Sequence, residues 1–363
     1  MTQILSVGTC LPPNRISQDE ALAFAGMLFR DSFQDLERLL KVFHNGQIES
    51  RYFSAPLEWF QTRHTLKEKN DLYIKLAVEF GIEAVHTCLE DSLFLRDPVA
   101  CEEIDAIFFV STTGFSTPSI EAKIMNQLPF SSHTKRIPIW GLGCAGGAAG
   151  LSRAHEYCLA YPEANVLVIS EELCSLTFQP GDLSKSNLVG TSLFADGAAC
   201  ALLAGDESSL LTRSNLRFRP AVLGTQSTLM PDSEDVMGWD IKDEGLYVVF
   251  AKSIPNIIEN WLKPNVEEFL SGYELSSGQI GHFVAHPGGR KVLEAYEKAM
   301  GWPESMTGPS REVLKTCGNM SSPTVFFVLK EHLKKQIPDR DYGLAAALGP
   351  GFSSELLLLQ WTA

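Results

Sequence analysis

Positive charge is scarce in this chain: 30 Lys and Arg stand against 44 Asp and Glu in 363 residues, a formal net charge of −14. Nucleic-acid binding needs a basic face to neutralise phosphate, so that class of function is excluded. An anionic substrate would be repelled at long range and would need a local cluster of Lys and Arg working against the overall field. Long apolar runs are missing as well. No segment reaches the roughly 18 strongly apolar residues of a membrane-spanning helix, and integral membrane association is not expected. The most apolar segment, 137–151, is mostly Gly and Ala and ends at Ser152-Arg153. The N-terminus, MTQILSVGTCLPP, has neither the basic region nor the apolar core of a secretion signal. The eight cysteines (10, 88, 101, 144, 158, 174, 200 and 317) form no CxxC pair and no Cys/His cluster with zinc-ligand spacing. No structural metal is expected, and scattered thiols without a signal peptide read as reduced and cytoplasmic. Most of them behave as small buried hydrophobes.

What is present is the pattern of an α/β protein, long enough for two packed units or one duplicated domain. Ala106 to Thr112 (AIFFVST), Asn165 to Ser170 (NVLVIS) and Gly197 to Leu203 (GAACALL) are short apolar runs that read as strands buried on both faces. Apolar residues at Tyr73, Leu76, Ala77, Phe80, Ala84 and Cys88 predict a helix over 70–91, with Asn70 as its N-cap. The second half repeats this plan. His282 to Gly289 (HFVAHPGG) is similar to Phe108 to Gly114 (FFVSTTG), which sets Thr112 opposite His286. Cys144 then lies 32 residues after Thr112, and Asn319 lies 33 after His286. Asp196 to Leu203 matches Gly351 to Leu359 in the same order. Three matches at near-equal spacing suggest two halves related by a pseudo-twofold axis. Residues 206–240, with a Pro-Asp-Ser-Glu turn at 231–234, read as the least regular region, a joint between the halves.

Three residues could carry chemistry. Cys144, in WGLGCAGGAAG, precedes a helical pattern, and a helix N-terminus favours a thiolate. The glycines allow a tight turn and close substrate approach. The same stretch also suits tight helix packing around an inert thiol, and both readings stay open at this point. His286 ends a buried strand in AHPGG, the end at which α/β proteins bind ligands; the other seven histidines lack such a context. Asn319, in CGNMSSP, would serve equally as an N-cap, but the duplication sets it where the other half has Cys144. The three would converge on one cavity.

The motifs GLGCAGG, SLFADGAA, MPDSE, AHPGG, SREVLKTCGNMSSPTV and LGPGFSSE together resemble the chalcone synthase-like, or type III, polyketide synthases over essentially the whole chain. Ketoacyl-carrier-protein synthases look different around both the His and the Asn. The resemblance implies a thiolase-like α/β fold of two duplicated αβαβα halves, 1–205 carrying Cys144 and 206–363 carrying His286 and Asn319. It implies an acyltransferase homodimer that condenses malonyl-CoA onto an acyl-CoA held on Cys144, with His286 and Asn319 stabilising the enolate and no cofactor beyond the CoA thioesters. Cys144 would act as a thiolate paired with protonated His286. Phe194 matches a phenylalanine at the cavity throat, and Thr112, Cys174 and Thr177 match cavity-lining positions. Arg51, Arg290 and Lys291 are the candidates for the CoA phosphates. The chain departs from the plant pattern at Ala195 (usually Gly), Val248 (a second throat Phe), Trp239 (a wall Gly) and Thr117, in the slot of a residue that crosses the dimer. An apolar wall opened by Val248 predicts medium- or long-chain fatty acyl-CoA starters, with Trp239 limiting extension, and hence alkylpyrones or alkylresorcinols. A priming ketoacyl-carrier-protein synthase and a silent thiolase-fold subunit are the rival readings; turnover with malonyl-CoA alone as extender separates the first, and the intact Cys, His and Asn set argues against the second.

Overall fold

The computed structural model describes residues 1–30, 33–251 and 253–363. One nine-stranded sheet runs through it in the order Ile280–Ala285, Tyr342–Gly349, Ser353–Thr362, Arg219–Leu229, Thr2–Cys10, Asp196–Ala204, Asn165–Leu173, Ala106–Val110 and Lys135–Ile139. The order contains its own duplication. Ala106–Val110 runs parallel to Asn165–Leu173, which is antiparallel to Asp196–Ala204, which is antiparallel to Thr2–Cys10. In the other half Ile280–Ala285 runs parallel to Tyr342–Gly349, then come antiparallel Ser353–Thr362 and Arg219–Leu229. The halves join where Thr2 faces Val222 and Gln3 faces Ala221. Lys135–Ile139 has no counterpart and forms a half-exposed edge.

The helices between the strands explain why the halves meet closely. Gly146–Ala160 packs against strands of both halves and against Thr324–Leu333. A Cβ on Gly147 would lie 2.2 Å from the Ser322 carbonyl oxygen and 2.8 Å from Val325 Cγ1, so only glycine lets these two segments approach. That contact draws Cys144, three residues before it, toward Asn319, three residues before Ser322.

The predicted buried strands are present, the second extending to Leu173. Two local expectations change. The helix is Leu66–Glu90, capped by Thr65 in a reciprocal box with Glu68. Asn70 lies inside it, and its side chain instead donates to the Phe115 carbonyl at 2.9 Å and accepts the Phe115 N–H at 2.8 Å, pinning the loop after Ala106–Val110. The joint region also holds more order than its composition suggests. Arg219–Leu229 is a strand ordered by pairing with Ser353–Thr362, distant in sequence, and Met237–Lys242 pairs locally with Gly245–Phe250 as a hairpin. Among the described residues no helix is long and apolar enough to cross a membrane, and no group of three or more His, Cys, Asp or Glu could hold a metal.

Candidate active site

Cys144 occupies a short 3-10 turn, Gly143–Ala145, that leads straight into the helix Gly146–Ala160. The turn is braced from behind: the Gly143 N–H donates to Thr112 Oγ1 at 3.2 Å, and the Thr112 N–H donates to Glu172 at 2.8 Å. Glu172 also accepts the Ser322 hydroxyl at 2.8 Å. Cys144 Sγ lies 3.4 Å from Ser321 Oγ, on the far side of the pseudo-twofold.

Asn319 follows the C-terminus of the helix Gly308–Cys317. Its backbone is clamped to the other half, the N–H donating to the Leu193 carbonyl at 3.0 Å and the carbonyl accepting the Ala195 N–H at 2.8 Å. Its side-chain amide donates to the Gly288 carbonyl at 3.2 Å and accepts the Ser321 N–H at 2.8 Å, which leaves one amide hydrogen free. His286 directly follows Ile280–Ala285, with its N–H on the Ala346 carbonyl at 2.8 Å. It is buried, and neither ring nitrogen has a hydrogen-bond partner among the described residues.

The three side chains open onto one cavity of about 460 Å³. Val189, Leu193, Met237, Phe250 and Ile254 form an apolar wall, and Arg290 and Lys291 belong to the same lining. Burial sets the charge states. It pushes the Cys144 thiol up to about 12; the Ser321 hydroxyl opposes this, the Glu172 charge adds to it and the Asn319 side chain opposes it again. Burial alone pulls His286 down to about 3. Burial thus works against the expected thiolate–imidazolium pair at both groups. A neutral imidazole can take the thiol proton during attack and can also donate an N–H to an oxyanion.

Phe194 caps the helix Lys185–Leu193, and its ring contacts Phe250 at 5.5 Å and Trp239 at 5.9 Å between centroids. Beyond it lies a second, much smaller pocket of about 50 Å³. Cys174, Thr177, Trp239 and Val248 line it together with Phe24, Phe53 and Phe60. Trp239 and Val248 are direct cross-strand partners in the hairpin. The indole thus stands beside the space that the small valine leaves.

The sequence model of the chalcone and stilbene synthases, N-terminal domain, matches residues 1–207, and that of the C-terminal domain matches residues 222–362. The chain is 52% identical over 362 residues to a Bacillus subtilis (strain 168) protein provisionally named as a chalcone synthase, covering 99% of each. It is 32% identical over 361 residues to the 1,3,6,8-tetrahydroxynaphthalene synthase of Streptomyces peucetius subsp. caesius, covering 99% of this chain and 93% of that one. The crystal structure of the 1,3,6,8-tetrahydroxynaphthalene synthase of Streptomyces coelicolor A3(2), a bacterial type III polyketide synthase, superposes with a TM-score of 0.90 at 28% identity over 99% of both chains. The chain is a type III polyketide synthase of the chalcone and stilbene synthase family. Its fold is the thiolase-like α/β fold of that family, and it is an acyl-transferring enzyme.

Two expected positions in the synthase differ from their assignment. Arg51 cannot meet a phosphate at the tunnel mouth. Only 1% of it is exposed, and its guanidinium donates to the Thr191 and Phe194 carbonyls at 2.7 and 2.8 Å. It caps the helix that ends at Phe194, and burial lowers its pKa to about 9 against the pull of Asp196. Thr112 lines neither cavity; it supports the Cys144 turn. Sequence reasoning passed over Asp196 and Ser321 although both lie in quoted motifs. Asp196 is fully buried and accepts the N–H and hydroxyl of both Ser54 and Ser175, at 2.5 to 2.7 Å, tying together two segments beside the second pocket. Phe250 and Tyr296, both in the triad cavity, belong to no motif and had no signal.

Proposed function

We propose that the synthase loads a medium- or long-chain fatty acyl group onto Cys144 and extends it two or three times with malonyl-CoA, giving alkylpyrones or alkylresorcinols. One contrast carries this reading: the triad cavity is roomy with an aliphatic wall, whereas the pocket behind Phe194, with Trp239 in its lining, holds only about 50 Å³. A flexible chain can lie along the first and gains about 0.8 kcal/mol for each methylene buried; a rigid aromatic starter would need space that the second lacks.

Cys144 sulfur attacks the starter thioester while His286 takes its proton. The acyl–sulfur bond to CoA breaks, and the departing CoA sulfur recovers the proton. Malonyl-CoA then loses CO₂, and the resulting enolate oxygen accepts hydrogen bonds from His286 and the free Asn319 amide hydrogen. The enolate carbon attacks the acyl-Cys144 carbonyl, the bond to the Cys144 sulfur breaks, and the lengthened chain, now on CoA, returns to Cys144 for the next round. Arg290 and Lys291 would meet the CoA phosphates, aided by the helix Leu36–Asn45, whose Val42 and Asn45 line the cavity and which also carries Arg38 and Lys41. The halves 1–205 and 206–363 would each supply part of this site. A homodimer is supported by the unpaired edge Lys135–Ile139, by Trp140 at 51% exposure and by exposed Thr117. We place the enzyme in the cytoplasm with its CoA substrates.

The test is a panel of acyl-CoA lengths against p-coumaroyl-CoA and against malonyl-CoA alone, with products identified by mass. Fatty starters should dominate. A clear preference for p-coumaroyl-CoA, or starter-independent formation of a polyphenol from malonyl-CoA, would refute the reading of the two pockets. Separately, Asn319→Ala should lower malonyl-CoA decarboxylation by about 10²-fold, while Cys144→Ala should block extension and keep part of it.

A further inference from the structure

Tyr296 is a polar residue in an apolar setting that no role so far uses. It sits on the helix Arg290–Met300, one turn after Val292, and the two share the face that lines the triad cavity. The residue is fully buried, and its hydroxyl has no hydrogen-bond partner among the described residues. The ring is held edge-on against Phe283, with centroids 5.3 Å apart and planes at 88°, so the hydroxyl is fixed in place. Burial raises the phenol above its usual range, so the group stays protonated.

A buried, unpaired hydroxyl costs stability that phenylalanine at the same position would not. What it adds is a fixed, neutral donor. A fatty starter offers such a donor nothing beyond its thioester carbonyl. Each malonyl-derived extension adds a keto oxygen, which accepts and cannot donate. We propose that Tyr296 is a specificity-determining residue that donates its phenolic hydrogen to a keto oxygen of the extended chain and thereby sets the length at which the chain is released. This rests on the polyketide synthase reading of the cavity and deepens it, but does not depend on the starter being fatty, because the keto oxygens come from malonyl units.

Tyr296→Phe keeps the ring and removes only the donor. Purified full-length wild type and variant are compared for starter loading on Cys144, read by intact-protein mass, and for the ratio of triketide to tetraketide products at saturating malonyl-CoA. Loss of one hydrogen bond should shift that ratio by about tenfold, with extension reduced relative to loading. Tyr296→Met, which is apolar without a ring, should shift the ratio in the same direction and covers the case in which one variant folds poorly. If both variants give the wild-type product ratio, or if loading and extension fall together, the proposal is wrong. Should the wild type reject every fatty starter, the starter reading alone fails, and the same ratio is read on whichever starter it accepts.

Discussion

Gly318 precedes Asn319 and connects the backbone, a buried cation and the reacting groups. Its φ is 75° and ψ −167°, a conformation that essentially only glycine adopts. A Cβ there would lie 2.6 Å from Arg51 Cγ, 2.9 Å from Arg51 Cδ and 3.2 Å from Ala195 Cβ. Gly318→Ala therefore meets a backbone cost of about 1–3 kcal/mol and a clash with a stem that cannot retreat, because its guanidinium is held by the Thr191 and Phe194 carbonyls. Losing one of those charge-assisted bonds would cost a further ~1.5–3 kcal/mol. Relief comes by moving the loop, and Asn319 moves with it. A 1 Å displacement of a group that must meet the enolate costs about 10² in rate. The assay is malonyl-CoA decarboxylation and product formation for Gly318→Ala, with a thermal melt of the same preparation. Gly301→Ala is the control: φ there is 68°, but a Cβ would meet nothing within 4 Å, so only about 1 kcal/mol of stability should be lost, with the rate retained. Equal rates for Gly318→Ala and Gly301→Ala would refute the link between the Gly318 backbone and the Asn319 position.

The charge at the cavity mouth and the hairpin that lines the second pocket give further tests. Lys291→Glu combined with Arg290→Ala should raise KM for malonyl-CoA roughly tenfold at low ionic strength and by much less in high salt, measured as initial rates across a salt series. A salt-independent KM would remove both residues from phosphate recognition. Trp239→Gly should enlarge the 50 Å³ pocket and improve kcat/KM for p-coumaroyl-CoA about tenfold, while products grow by one malonyl unit by mass. An unchanged product profile would show that the indole does not bound the growing chain.

The duplicated plan is legible in sequence because each half uses the same short apolar strand running into a polar loop. Those strands are buried on both faces, so composition alone marks them. The strand Arg219–Leu229 escapes the same reading. It carries Arg219, Gly224, Gln226 and Ser227, is buried only at its start, and owes its order to Ser353–Thr362 and Thr2–Cys10, which lie far away in the chain. The start of the helix Leu66–Glu90 is also written in the sequence: Thr65 and Glu68 are three residues apart, the spacing of a reciprocal cap, although Asn70 is an equally good N-cap residue type.

The site divides along a different line. Cys144, His286 and Asn319 stand out because their neighbours are unusual: glycines where a helix begins, Pro-Gly-Gly after a strand, and a polar turn before an apolar helix. Residues that act through position alone have no such surroundings. An arginine in Ser-Arg-Tyr reads as a surface cation, since burying a guanidinium without a carboxylate partner is costly. Only the fold supplies the two carbonyls at a helix end that make it tolerable for Arg51. Charge state is hidden in the same way. A cysteine at a helix start beside a histidine suggests an ion pair; the dipole contributes about 1 kcal/mol, and burial of both groups acts against it. Burial favours the neutral forms of both His286 and Cys144, and the Glu172 charge behind the Cys144 turn adds to it for the thiol.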